Sequence, residues 1–96
     1  MSFKELCDLV HRRFRFILHE DNVSAIYAEF VGDTVILTFI LGEDLTPDEL
    51  TKVKTRYLRT IGNTDVIKVN VFNATNNWKT DNAKYVVWYR GGTYFA

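Results

Sequence analysis

No apolar run in this 96-residue chain approaches the roughly 18 residues that a helix needs to cross a bilayer. The longest, Val35-Ile-Leu-Thr-Phe-Ile-Leu41, has the length of a strand. The N-terminus alternates polar and apolar residues with no apolar core of a signal peptide, so a soluble, cytoplasmic protein with no membrane partner is expected. The single cysteine, Cys7, cannot close an internal disulfide, which argues against an oxidised, disulfide-built scaffold. Asn22-Val-Ser and Asn73-Ala-Thr match the glycosylation sequon, but without an export signal both read as chance. Proline occurs once, at Pro47, and the five glycines fall at the ends of elements, so no Gly-rich phosphate loop is present. Net charge is also missing: 12 Lys and Arg balance 12 Asp and Glu.

The material that is there is ordinary for a folded domain, with 47% hydrophobic and 25% charged residues, and aromatics are plentiful at 15%. A chain of this length makes one domain, residues 1–96, and buries about two thirds of its unfolded surface. The balanced charge is unevenly spread. Residues 22–51 carry six acids (Glu29, Asp33, Glu43, Asp44, Asp48, Glu49) and no base; residues 52–96 carry eight bases against Asp65 and Asp81. Helix capping accounts for part of this; the remainder predicts an acidic end and a basic end.

Periodicity divides the chain into six elements. Ser2 and Glu5 form a capping-box pattern ahead of apolar positions 3, 6, 7, 10, 14, 17 and 18, the stripe of a first helix. That stripe splits the basic, aromatic run His11-Arg-Arg-Phe-Arg-Phe16: Phe14 faces the core, Arg12 and Arg15 face water, and Arg13 and Phe16 flank the stripe. A hairpin follows, with Gly32-Asp33 suited to a two-residue type II′ turn. This register sets Phe30, Ala28 and Ile26 opposite Val35, Leu37 and Phe39 on a wholly apolar face. It leaves a mixed second face containing Tyr27, Glu29, Ile36, Thr38 and Ile40. Thr46, Pro47 and Glu49 start a second helix with a second capping box; Leu45 and Leu50 are spaced for a hydrophobic staple, and Gly62 ends it. A third strand carries Ile67, Val69 and Val71 on one face with Lys68 and Asn70 on the other. After the long polar loop Ala74–Asn82 comes a fourth strand, Tyr85-Val-Val-Trp-Tyr89, with no clean face. Sharing parity with Lys84 and Arg90, Trp88 is expected on the outer face.

The resulting α-β-β-α-β-β order predicts an α+β two-layer sandwich: a four-stranded, largely antiparallel sheet with two helices on one face.

Catalytic and metal constellations are weak. His11 and His19 lie about two turns apart on the exposed face of the first helix, too far apart to share a metal. Cys7 falls on the apolar stripe as a small hydrophobe. Asp48 and Glu49 belong to a helix start. No enzyme activity, metal or small-molecule cofactor is expected.

Two binding surfaces remain. The outer sheet face would present Tyr27, Ile36, Ile40, Phe72 and Trp88, an apolar, aromatic patch of the kind that marks protein interfaces. A second copy covering it would give a symmetric homodimer, whereas the tail Gly91–Ala96 folding back would bury it within one chain. Alternatively, Arg12, Arg15, Lys52, Arg56 and Arg59 would form a basic ridge for nucleic acid if the helices lie side by side. As a separate option for nucleic acid, Tyr27 and Trp88 beside Lys68, Lys84 and Arg90 on the sheet face would offer a stacking platform for single strands.

The order of elements from Val23 onward, the helix start Thr46-Pro-Asp-Glu-Leu-Thr-Lys-Val-Lys54 and the sequence Arg90-Gly91-Gly92 resemble a ubiquitin-type β-grasp domain. The resemblance covers residues 23–92 and implies a conjugated modifier, which would require removal of Thr93–Ala96. The first helix has no counterpart in it. The protein-association reading is of a small accessory or inhibitory protein, of the sort phages often encode, that binds another protein, itself, or both.

Overall fold

The computed structural model describes residues 1–62, 65–73 and 85–90. The element order is α1 (Phe3–Phe14), α2 (Ile17–Glu20), β1 (Val23–Val31), β2 (Thr34–Leu41), α3 (Pro47–Ile61), β3 (Ile67–Asn73) and β4 (Tyr85–Tyr89). The loop after β3 and the tail, with Lys84, Gly91 and Gly92, lie outside the described residues.

Both capping boxes form as their sequences require. Ser2 and Thr46 each accept from the backbone N–H of the glutamate three residues on, and Glu5 and Glu49 each accept from the cap residue's N–H in return. The first helical segment is one turn shorter than the periodicity predicts. The backbone stays right-handed through Arg15 and Phe16, but regular α-helix stops at Phe14 and resumes for one turn in α2. The stripe itself holds: Leu6, Cys7, Val10, Phe14 and Leu18 are buried, with Phe3 and Ile17 packed against them.

The hairpin register is the predicted one, Phe30 opposite Val35, Ala28 opposite Leu37 and Ile26 opposite Phe39. Gly32 takes φ +59° while Asp33 keeps a negative φ, which fits a turn needing a left-handed first residue. Toward its start β1 carries one extra residue, Ser24, between the Val23–Leu41 and Ala25–Ile40 pairs.

The sheet is mixed rather than largely antiparallel. Its order is β3-β2-β1-β4, with β1 antiparallel to β2 and β4 but β2 parallel to β3. The reason is the 15-residue α3 between β2 and β3, which carries the chain back to its starting end, so that the next neighbouring strand runs the same way. β3 and β4 occupy opposite edges and are not a hairpin. This arrangement also separates the fold from the ubiquitin-type β-grasp, in which the last strand runs parallel to the first.

The core joins elements distant in sequence. Phe14 of α1 and Tyr57 of α3 both contact Phe39 of β2, with ring centroids 5.0 and 4.7 Å away, and contact each other at 5.3 Å. Around this trio Ile26, Leu37, Leu41, Val69 and Val87 are buried.

Candidate functional site

β4 decides what the outer sheet face contains. Tyr27 pairs with Val86 and Ile26 with Trp88, so Val87 is an extra residue on β4. A bulge sets two successive side chains on one side of a strand, and Val87 and Trp88 are both buried in the core cluster. Trp88, expected on the outer face, is therefore a core residue; the bulge reversed its parity. Tyr85 contacts Phe3 and Phe30, with ring centroids 5.1 and 5.3 Å away, while remaining exposed.

On the outer face, the register lines up Phe72, Ile40, Ala25 and Tyr89 in one row across the four strands. A second row holds Asn70, Thr38, Tyr27 and Val86, and a third Lys68, Ile36 and Glu29. Tyr27, Ile36, Ile40 and Phe72 are half-buried, whereas Val86 and Tyr89 are about 40% exposed. Four of the five expected interface residues thus share this face with Val86, and the bulge brings Tyr89 to it in place of Trp88. Arg90 is drawn away from the face: its Nη2 donates to the Leu18 carbonyl (3.1 Å) and its backbone N–H to Ser24 (2.8 Å).

The five residues of the expected basic ridge are all exposed. They differ in their engagements. Arg12 Nε donates to the Asp8 carbonyl, and the Arg15 guanidinium lies 4.9 Å from the Phe16 ring centroid. Arg56 is ion-paired with Asp21 and sits over the Tyr57 ring. Lys52 and Arg56 line a cleft of about 350 Å³ together with Glu20, Asp21, Glu43 and Glu49, above Leu41, Leu45 and Val53. Four carboxylates around two cations make that part of the ridge a poor phosphate site.

The cleft and its support are the features sequence reading missed. Tyr57 Oη donates to Asp21 Oδ2 at 2.7 Å, and burial, followed by the Asp21 contact, pushes the phenol well above its ordinary pKa. Asn73, buried at the end of β3, donates from Nδ2 to the Leu45 carbonyl (2.8 Å) and accepts the Leu45 N–H on Oδ1 (2.9 Å). That clamp fixes the segment entering α3, hence the cleft wall. No local pattern marks either pair, because the partners are 36 and 28 residues apart.

Among the described residues, no three His, Cys, Asp or Glu side chains converge for a metal, and no helix is long and apolar enough to cross a membrane. Cys7 is fully buried and both histidines are exposed.

Comparison with known proteins finds no matching family model, no matching curated protein and no matching solved structure.

Proposed function

We propose that the protein is a non-catalytic, cytoplasmic binding protein, a homodimer that acts by docking onto another protein as an accessory or inhibitory subunit. The observation that carries this reading is the mixed outer sheet face, on which Ile36 and Ile40 of the central strand β2 are half-buried and Val86 of β4 is exposed, beside the buried Ala25 and Thr38. We read the architecture as a two-layer sandwich with α1 and α3 on the Phe39 side, a reading supported by the Phe14–Phe39–Tyr57 contacts. In such an arrangement the second sheet face is the natural place for a partner. Lys68 and Glu29, flanking Ile36 in one row, would orient that partner by charge.

The test is affinity capture from the native cell with unmodified protein, Ile36→Asp and Val86→Asp, each with and without nuclease. Specific loss of one captured protein in both variants, insensitive to nuclease, is the expected result. Retention of every captured protein by both variants overturns the reading, and capture abolished by nuclease transfers the function to nucleic acid.

A further inference from the structure

Phe16 is 71% exposed, the most exposed large apolar side chain among the described residues. It projects from the Arg15–Phe16 break between α1 and α2, with Arg12, Arg13 and Arg15 exposed around it. One helical turn further on, Glu20, whose N–H donates to the Phe16 carbonyl, stands on the rim of the cleft floored by Leu41, Leu45 and Val53. Residues four apart on a helix share a face. An apolar knob flanked by arginines therefore lies one helical turn from a hollow with an apolar floor, whose rim carries four carboxylates against Lys52 and Arg56, a net negative charge.

We propose that two copies of the chain pair reciprocally at this place, Phe16 of each seating in the cleft of the other. A two-fold interface requires one patch to carry both a shape and its complement, and this patch does. Had knob and hollow lain on opposite sides of the molecule, the same complementarity would build open-ended fibres. The charges fit as well. Asp21 is engaged by Arg56 and Tyr57, and Glu49 by the Thr46 cap. Glu20 and Glu43 are then the rim carboxylates that meet the arginines arriving with Phe16. The contact rests on the homodimer reading above but moves the pairing of copies from the outer sheet face to this surface, leaving the sheet face to a different protein partner.

The test is sedimentation of unmodified protein, Phe16→Asp, Glu43→Arg and Ile36→Asp, across protein concentration and salt. Phe16 and Glu43 are exposed, so neither substitution threatens folding; circular dichroism verifies this for both and for Ile36→Asp at its half-buried site, and only folded variants are compared. The unmodified protein and Ile36→Asp are expected to be dimers that weaken as salt rises. Phe16→Asp and Glu43→Arg are each expected to dissociate more readily by about tenfold or more. The decisive sample mixes the two. Phe16→Asp keeps an intact cleft and Glu43→Arg an intact knob, so the mixture restores one of the two reciprocal contacts and forms a heterodimer that neither variant makes alone. A dimer lost in Ile36→Asp but retained in Phe16→Asp overturns this contact while preserving the homodimer. A mixture that stays monomeric overturns the knob-and-cleft pairing, and a monomeric unmodified protein removes the homodimer along with it.

Discussion

Tyr57 and Asp21 meet across 2.7 Å, the phenol of α3 donating to the carboxylate that closes α2. The hydroxyl lies at the end of a fully buried ring packed on Phe14 and Phe39, so one residue joins the core to the Asp21 side of the charged cleft. Tyr57→Phe keeps the ring packing and removes only the hydrogen bond to a carboxylate, which costs about 1.5–3 kcal/mol. The pH dependence has a definite sign. The phenol's folded-state pKa is raised above its ordinary 10.0, so its contribution is complete below pH 10 and is lost as pH rises beyond it. Urea unfolding of both proteins at pH 7 and pH 10.5 checks this: the unmodified protein is expected to lose stability over that interval, and Tyr57→Phe to lose less.

Asn73 acts on backbone rather than on a side chain. Its amide satisfies both the N–H and the carbonyl of Leu45 immediately before the Thr46 cap. Asn73→Ala removes both bonds at a position only 6% exposed and is expected to cost about 1–3 kcal/mol. Asn73→Asp keeps one acceptor for the Leu45 N–H but sets a carboxylate against the Leu45 carbonyl, so it rescues little. Thermal unfolding of the two variants, with amide exchange at Leu45 as a local probe, reads this out. A Leu45 amide protected as well in Asn73→Ala as in the unmodified protein would show that the clamp does not hold the segment.

What was legible in the sequence is what local physics determines. The two capping boxes, the stripe through Phe14 and Leu18, the Gly32 turn and the pairing of Phe30 with Val35 each depend on residues a few positions apart. What escaped depends on long-range geometry or on one inserted residue. The parallel β2–β3 pair follows from strand neighbours, which residue order alone does not state. The cleft assembles from α2, the end of β2 and α3, so its lining is scattered from Glu20 to Arg56. The interruption of regular helix at Arg15 has no proline or glycine to mark it.

The start of α3 makes a pH-dependent prediction of the opposite sign. Hydrogen bonds to the Thr46 backbone and hydroxyl hold the Glu49 carboxyl below its ordinary 4.5. A depressed folded-state pKa contributes stability above the unfolded value and loses it as pH falls through the folded one. Thr46→Ala is expected to cost about 1 kcal/mol at neutral pH. It should also flatten the decline in stability as pH falls from about 5 through the ordinary 4.5 and below, the range in which that depressed carboxyl takes up its proton. Urea midpoints across that window for Thr46→Ala and for Glu49→Gln test both statements, and parallel declines in all three proteins would contradict them.

Trp88 and Ile36 separate a core role from a surface one. Trp88 pairs with Ile26 and is 8% exposed, whereas Ile36 lies half-buried on the opposite side of the sheet between Lys68 and Glu29. Trp88→Ala leaves a large cavity beside Val87 and is expected to cost about 3–5 kcal/mol, a loss of stability whether or not a partner is present. Ile36→Ala removes a partly solvated side chain and is expected to cost under about 1.5 kcal/mol, a fraction of the 2–5 typical of a fully buried site. If the outer face carries the association, the order of effects reverses once binding is measured on folded protein. At a temperature where both variants stay native, Ile36→Ala should weaken partner binding more than Trp88→Ala does. Chemical unfolding paired with a binding titration on each variant gives both quantities. Equal binding by the two variants, each verified as folded, would remove the outer face from the interaction.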